Sequence, residues 1–342
     1  MSLTASRDSL GHAILGLLWA QWTELGVGGT RGTARSLVDP EALLLAMTVF
    51  GRYDARLFDA VLDWLAEHSD VLDVTRLRRV GSGTAYGDDR LLAALVDFMR
   101  VESSRGKWSG AAGALEAREE RAAYAPEALF VTLGGEPLPA FGSADEFFGA
   151  HGFERARRVP RSISAAPDLK RPAVARLRLR TLVGQGARAE VLLYLATHDH
   201  AHGRLISQRA AYSQRQVAEY LSALAEAGYA ESWGEGRTVQ YRLRAHTREA
   251  LGNDAAPYID WIKTYELLTG LWTTIAKAAT RSDAYEASVR LRSGLEAATE
   301  QLPVEGLALA FPDPGQHPGG KLLEHAVDYI DSVTRVLEEL SC

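Results

Sequence analysis

The residues best suited to chemistry at a surface stand in "YSQRQVAEYLSALAEAGY", from Tyr212 to Tyr229. Its first five side chains, Tyr212, Ser213, Gln214, Arg215 and Gln216, can all hydrogen-bond. Arginine binds guanine bidentately and glutamine binds adenine bidentately, so this cluster at a helix start could read base edges. The same helix end offers free N–H groups and positive dipole to phosphate. Glu219 and Glu226 lie further along, away from that start. Other chemistries fit less well. "THDHAHGR" holds His198, His200 and His202. Alternate histidines converge on one metal ion only if the loop is extended and a fourth ligand arrives from elsewhere. A polar loop between helices is the simpler reading. Asp88 and Asp89 in "GSGTAYGDD" are adjacent, so on a strand they would point to opposite faces. A turn that caps a helix accounts for them. There is no G-x-x-x-x-G-K-[ST] phosphate loop and no G-x-S-x-G nucleophile turn, and the single cysteine is Cys342. The expectation is a non-enzyme with no cofactor and no metal.

The elements that must position the cluster are legible around it. Ser213 is an N-cap type, and Gln216 three residues later completes the pattern of a capping box. Val217, Leu221 and Leu224 recur at helical spacing and must face inward, with Gly228 as the stop. "RLISQRAAY" forms a short helix just before, so a tight turn joins two helices as a helix-turn-helix. "GARAEVLLYLATH" is a helix ahead of these, with Val191, Leu192 and Leu195 inward. "AESWGEGRTVQYRLR" alternates and turns at Gly234 and Gly236, as a β-hairpin would. Arg188, Arg204, Arg209, Arg237 and Arg242 are placed to hold phosphates, which positions a duplex without specifying its sequence. Gln208 and Gln240 stand beside them as further DNA contacts, and Trp233 in the first hairpin strand is a candidate solvent-side or DNA-side contact.

Residues from about Thr181 to Arg244 resemble a winged helix-turn-helix of the broad MarR/ArsR-like type. The matching pieces are "ARAEVLLYL", "SQRAAYSQRQVAEYLSALAEAGYAE" and "GEGRTVQYRL". The resemblance implies a bacterial DNA-binding transcriptional regulator, usually dimeric, on double-stranded DNA. It covers about a fifth of the chain, and large helical regions flank it on both sides. Winged helices also serve as protein-interaction modules, for example in an antitoxin or a phage-defence assembly, so fold alone does not fix function.

Charge distribution favours nucleic acid. The 342-residue chain carries a net charge of −6. His151 to Arg248 hold 17 Lys+Arg against 8 Asp+Glu, a net of +9, which leaves −15 for the rest. No apolar run reaches the length of a membrane span, and "AILGLLWAQW" lacks the flanks of a leader, so a cytoplasmic protein is expected. The fold class expected is mainly α with a small β wing. Residues 1–102 read as a helical domain, with a degenerate second winged helix as an option. Residues 103–175 read as a mixed, extended linker with a basic arm. Residues 176–250 form the winged helix-turn-helix, and 251–342 a helical, dimerising region. In the first region Asp39 caps a helix with Pro40 at its first position. In the last, "YIDWIKTYELLTGLWTTIAKA" and "KLLEHAVDYIDSVTRVLEEL" carry apolar stripes at helical spacing.

Overall fold

The computed structural model describes residues 2–28, 32–103, 106–110, 125–234, 239–252, 254–280, 283–300, 303–309, 314–317 and 320–341. The protein is mainly helical with small sheets. In chain order the helices that matter are α1 (Leu3–Glu24), α2 (Pro40–Phe50), α3 (Ala55–His68), α4 (Val74–Gly83) and α5 (Asp89–Glu102). Each of α2 to α5 begins on an aspartate whose carboxylate accepts a backbone N–H of the first turn: Asp39, Asp54, Asp73 and Asp88. A side-chain oxygen there satisfies one of the orphan donors of a helix start. Asp88 is thus a cap, as expected from its adjacency to Asp89.

The strands β1 (Glu127–Ala128) and β2 (Phe153–Glu154) pair in parallel around α6 (Glu146–Ala150). Then come α7 (Ala175–Val183), α8 (Ala187–Thr197), β3 (Ala201–His202), α9 (Gly203–Ala210), α10 (Gln214–Glu226), β4 (Ala230–Trp233), β5 (Gln240–Leu243) and α11 (Ala245–Leu251). The chain ends in α12 (Trp261–Ala279), α13 (Ala284–Glu300) and α14 (Lys321–Leu340).

The first and last regions are not separate. α1 is buried nearly all round, and it packs on both α12 and α14. A Cβ at Gly11 would stand 2.7 Å from Leu133 Cδ2 and 3.0 Å from the Trp272 ring, so a larger residue there would force these side chains to shift at the α1–α12 contact. Leu10, Ile14, Trp22, Trp64, Trp261, Ile275, Ile330 and Leu337 belong to one apolar core. Residues 1–102 and 251–342 therefore form one body rather than two domains. Among the described residues of 1–102 there is no strand that could serve as a wing.

The expected linker is also part of that body. Trp108, Leu129, Phe148 and Phe153 are in its core. The basic arm is strapped down: Arg155 binds Asp59 at 2.6 Å and Arg158 pairs with Asp63. Carboxylates of α3 neutralise these arginines, so they are not free for an outside partner.

A second, smaller core lies under α8, α9 and α10, with Val191, Leu195, Ile206, Val217, Leu221 and Leu243 buried together. Its sheet has the order β3–β5–β4, all antiparallel, with Ala201 opposite Tyr241 and Trp233 opposite Gln240.

Six buried charges join the two cores. Arg76 of α4 grips Asp39 with two donors at 2.5 Å each and Glu41 at 2.7 Å. Arg180 of α7 donates to Glu41 at 2.7 and 2.8 Å and to Glu190 of α8 at 2.8 Å. Arg176 pairs with Glu190 and lies 3.4 Å from Asp39. Three guanidiniums meet three carboxylates, so the cluster is neutral as a whole. Burial alone would raise the Asp39 carboxyl, but Arg176 and Arg76 outweigh it and hold it well below the usual carboxylate range. Glu41 is lowered in the same way, by Arg180 and Arg76 against its burial.

Candidate nucleic-acid interface

The helix start singled out by its residue types is built as its sequence dictates. The Oγ of Ser213 accepts the backbone N–H of Gln216 at 3.3 Å, the N-cap bond that begins α10. Such a cap contributes about 1 kcal/mol. The reciprocal half of a capping box is replaced by a side-chain pair, with Ser213 Oγ donating to Gln216 Oε1 at 2.8 Å. Val217 and Leu221 are fully buried and Leu224 nearly so, which fixes the face that packs inward. Burial of three such side chains stabilises this packing by roughly 5–8 kcal/mol as an upper bound. The helix ends where Gly228 takes φ +76°, with Gly228 N–H donating to Ala225 O and Tyr229 N–H to Leu224 O, a Schellman closure.

The turn before α10 is sharp. Ala211 sits in the left-handed region at φ +57°, and Tyr212 N–H donates to Ser207 O at 3.1 Å. This turn is bolted to the helical body from behind. Arg76 Nε donates to Ala210 O at 3.1 Å, and the Tyr212 hydroxyl donates to Asp73, the cap of α4.

Those bonds decide which candidate residues face outward. Ser213, Gln214, Arg215 and Gln216 are exposed. The Arg215 side chain is 88% exposed, and among the described residues its anchor is Glu219 one turn on, at 2.7 Å. An exposed i,i+4 pair of this kind is weak and yields readily to a better partner. Tyr212 does not join them. It is 8% exposed and its hydroxyl is spent on Asp73, so it holds the turn instead of reading anything. Arg209 is likewise withdrawn, bound to Asp260 and Glu305 at 2.7 Å each.

The remaining candidates scatter around the sheet. Arg204 in the first turn of α9 and Gln208 further along it are exposed. Gln240 stands in β5 opposite His202, which itself caps α9 through Nδ1. Arg204 and Gln240 therefore share one end of the sheet. Arg242 is exposed but pairs with Glu231 across the hairpin at 2.6 Å. Arg188 is exposed and lies over the Tyr220 ring, midway along α10. Arg237 lies outside the described residues. Trp233 is 43% exposed, with the His200 ring centroid 5.7 Å away and the Arg242 guanidinium 5.6 Å from its ring.

The three histidines have three separate partners. His198 stacks on Tyr194 and meets Glu305 at 2.8 Å, His200 leans on Trp233, and His202 caps α9. They do not converge on a common point, and no metal-holding group of three ligands is present among the described residues.

The net positive count of residues 151–248 is thus a poor guide to the surface. Arg155, Arg158, Arg171, Arg176, Arg178, Arg180 and Arg209 are each paired with a carboxylate, largely from elsewhere in the chain. One residue of the candidate interface escaped notice in the sequence. Arg79 of α4 lies with its guanidinium 4.8 Å from the Tyr212 ring centroid and donates to Gln216 Oε1 at 3.2 Å. The signal was "TRLRRV", a basic run on an amphipathic helix, but it lies outside the segment whose charge drew attention. Between α4 and the turn is an open cleft of about 430 Å³, lined by Arg79, Val80, Thr84, Gln208, Ser213 and Ile262.

The arrangement can place hydrogen-bonding side chains and a helix N-terminus against a polyanion. Among the described residues it brings together no convergent acid, base and nucleophile. Among the described residues no helix is long and apolar enough to cross a membrane. No protein-family model matches the chain, and neither the curated proteins nor the solved structures contain a match to it.

Proposed function

We propose that the protein is a sequence-specific DNA-binding regulator whose reading element is the start of α10, carried on a winged helix-turn-helix. The observation that carries this reading is the exposed edge of Ser213, Gln214, Arg215 and Gln216 at a capped helix start, held at a fixed angle by α4. The element order α8–β3–α9–α10–β4–β5, with β5 central in a three-stranded antiparallel sheet, supports the winged form. Gln214 and Arg215 are the base-reading pair, and Arg204 with the helix N-terminus supplies phosphate contact. The reading includes a homodimer that sets two α10 helices in successive major grooves, about 34 Å apart.

The internal use of so many arginines gives a second reading its specific support: the same exposed edge docking a protein partner. Salt separates the two. If two or three phosphates are held, binding of a random duplex weakens by roughly ten- to fortyfold between 50 and 200 mM KCl. Fluorescence anisotropy of a labelled duplex across that range makes the test. Absence of binding even at 50 mM would remove the DNA reading and leave the protein-docking one.

A further inference from the structure

The helix α4 presents one face to the helix-turn-helix, and two arginines one turn apart lie on it. Arg76 is fully buried and holds the turn through Ala210 O. Arg79 reaches further, to the start of α10. Its guanidinium lies over Tyr212 and one of its donors is held by Gln216. A guanidinium carries five donors in a planar fork. Among the described residues the others have no partner, on a side chain that is only partly buried. Among the described residues Arg79 has no carboxylate partner, whereas Arg215 and Arg242 each have one and Arg209 has two.

We infer that Arg79 is a phosphate-binding residue of the DNA interface, so that the contact surface extends from the helix-turn-helix onto α4. The inference rests on the proposed duplex binding and adds an element that lies more than a hundred residues away in sequence. Stacking on Tyr212 and the bond to Gln216 fix the plane of the fork before any ligand arrives. A pre-oriented guanidinium meets a phosphate with two parallel donors and loses little freedom in doing so. Gln216 is the next residue after Arg215, so the phosphate held by Arg79 flanks the bases that Gln214 and Arg215 reach. Since Tyr212 is tied to Asp73 at the head of α4, this contact also sets the angle at which the whole body docks.

The test uses the full chain, a labelled random 25-base-pair duplex, and anisotropy titrations from 50 to 250 mM KCl. Each neutralised phosphate contributes about 0.9 to the slope of log K against log salt. Arg79→Gln is expected to make the slope shallower by about 0.9 and to weaken binding roughly three- to tenfold at 50 mM. Arg79→Lys, which keeps the charge, is expected to retain the parent slope. If Arg79 only positions the helix start, Arg79→Gln and Arg79→Lys weaken binding alike and the slope stays as in the parent; that result overturns the inference. A second readout needs no variant: phenylglyoxal modification of Arg79, followed by mass spectrometry, should slow when duplex is bound. Equal modification with and without bound duplex would overturn the inference as well. Parent protein that binds no duplex at any salt removes the DNA reading and this inference together. A steep parent slope that Arg79→Gln leaves untouched removes the role of Arg79 alone.

Discussion

Replacing Arg76 by alanine takes away the guanidinium that donates twice to Asp39, once to Glu41 and once to Ala210 O. Glu41 keeps Arg180 and the N–H of Asp73. Asp39 is left with the Ala42 N–H at 3.2 Å and Arg176 at 3.4 Å, and it stays buried. Breaking a buried pair from one side typically costs about 3–5 kcal/mol. The chemistry of Asp39 sets a limit on that figure. Its carboxylate can escape by taking a proton, which at pH 7 is some three pH units above its unfolded pKa, about 4 kcal/mol at 1.36 per unit. At pH 5 the same escape costs only about 1.5 kcal/mol. In the parent protein the lowered Asp39 contributes stability above its unfolded pKa and loses it as pH falls. In Arg76→Ala the balance moves toward burial, because Arg176 at 3.4 Å and the Ala42 N–H are what still favour the charged form, and the under-compensated carboxyl destabilises the fold as pH rises. The gap between parent and variant should therefore be about 4 kcal/mol at pH 7 and clearly smaller at pH 5. Urea unfolding followed by tryptophan fluorescence at both pH values measures it. The double variant Arg76→Ala/Asp39→Ala should recover part of the loss at pH 7. A loss below about 1 kcal/mol, or one of equal size at both pH values, would refute the claim that these charges lock the helix-turn-helix to the body.

Other outcomes follow from single contacts. Ser213→Ala removes the cap of α10 and should lower stability by about 1 kcal/mol, and on the proposed DNA-binding reading duplex affinity should fall further because that helix start frays; calorimetry and anisotropy separate the two effects. Leu221→Ala opens a cavity under the same helix and should cost about 2–5 kcal/mol in urea unfolding. Partial burial would raise the Glu305 carboxyl, but hydrogen bonds from His198, Tyr194 and Arg209 outweigh it and bring it down to about 2. Its contribution to stability is then full above the unfolded carboxyl range near pH 4.3 and disappears as pH falls toward 2. Glu305→Gln should flatten the melting temperature of the protein across that window.

Local signals carried most of what could be read from the sequence. The caps at Asp39 and Ser213, the stop at Gly228 and the antiparallel pairing of Ala230–Trp233 with Gln240–Leu243 depend on neighbours a few residues away, and each stands where its residues put it, while Gly236 of the expected turn lies outside the described residues. The joining of α1 to α12 and α14 into one core had no such signal, because an apolar stripe says that a helix face is buried and not what buries it. Arginine counts misled for a related reason. The charge of Arg155, Arg158, Arg180 or Arg209 is cancelled by carboxylates distant in sequence, so a regional sum overstates what reaches solvent. Tyr212 shows the same limit at one residue. Its type suits a groove, but Asp73 of α4, brought in from far along the chain, takes its hydroxyl. Arg79 is the converse, a residue whose place beside α10 only the fold supplies.

The central claim is that the start of α10 reads base edges. Selection from a randomised duplex pool, by the full chain and by Arg215→Ala in parallel, tests it most directly. The account predicts an enriched motif for the parent, and for Arg215→Ala a roughly ten- to hundredfold loss of preference at one base pair of that motif. Recovery of the same motif with the same preference by both proteins, or no enrichment by the parent, would contradict it.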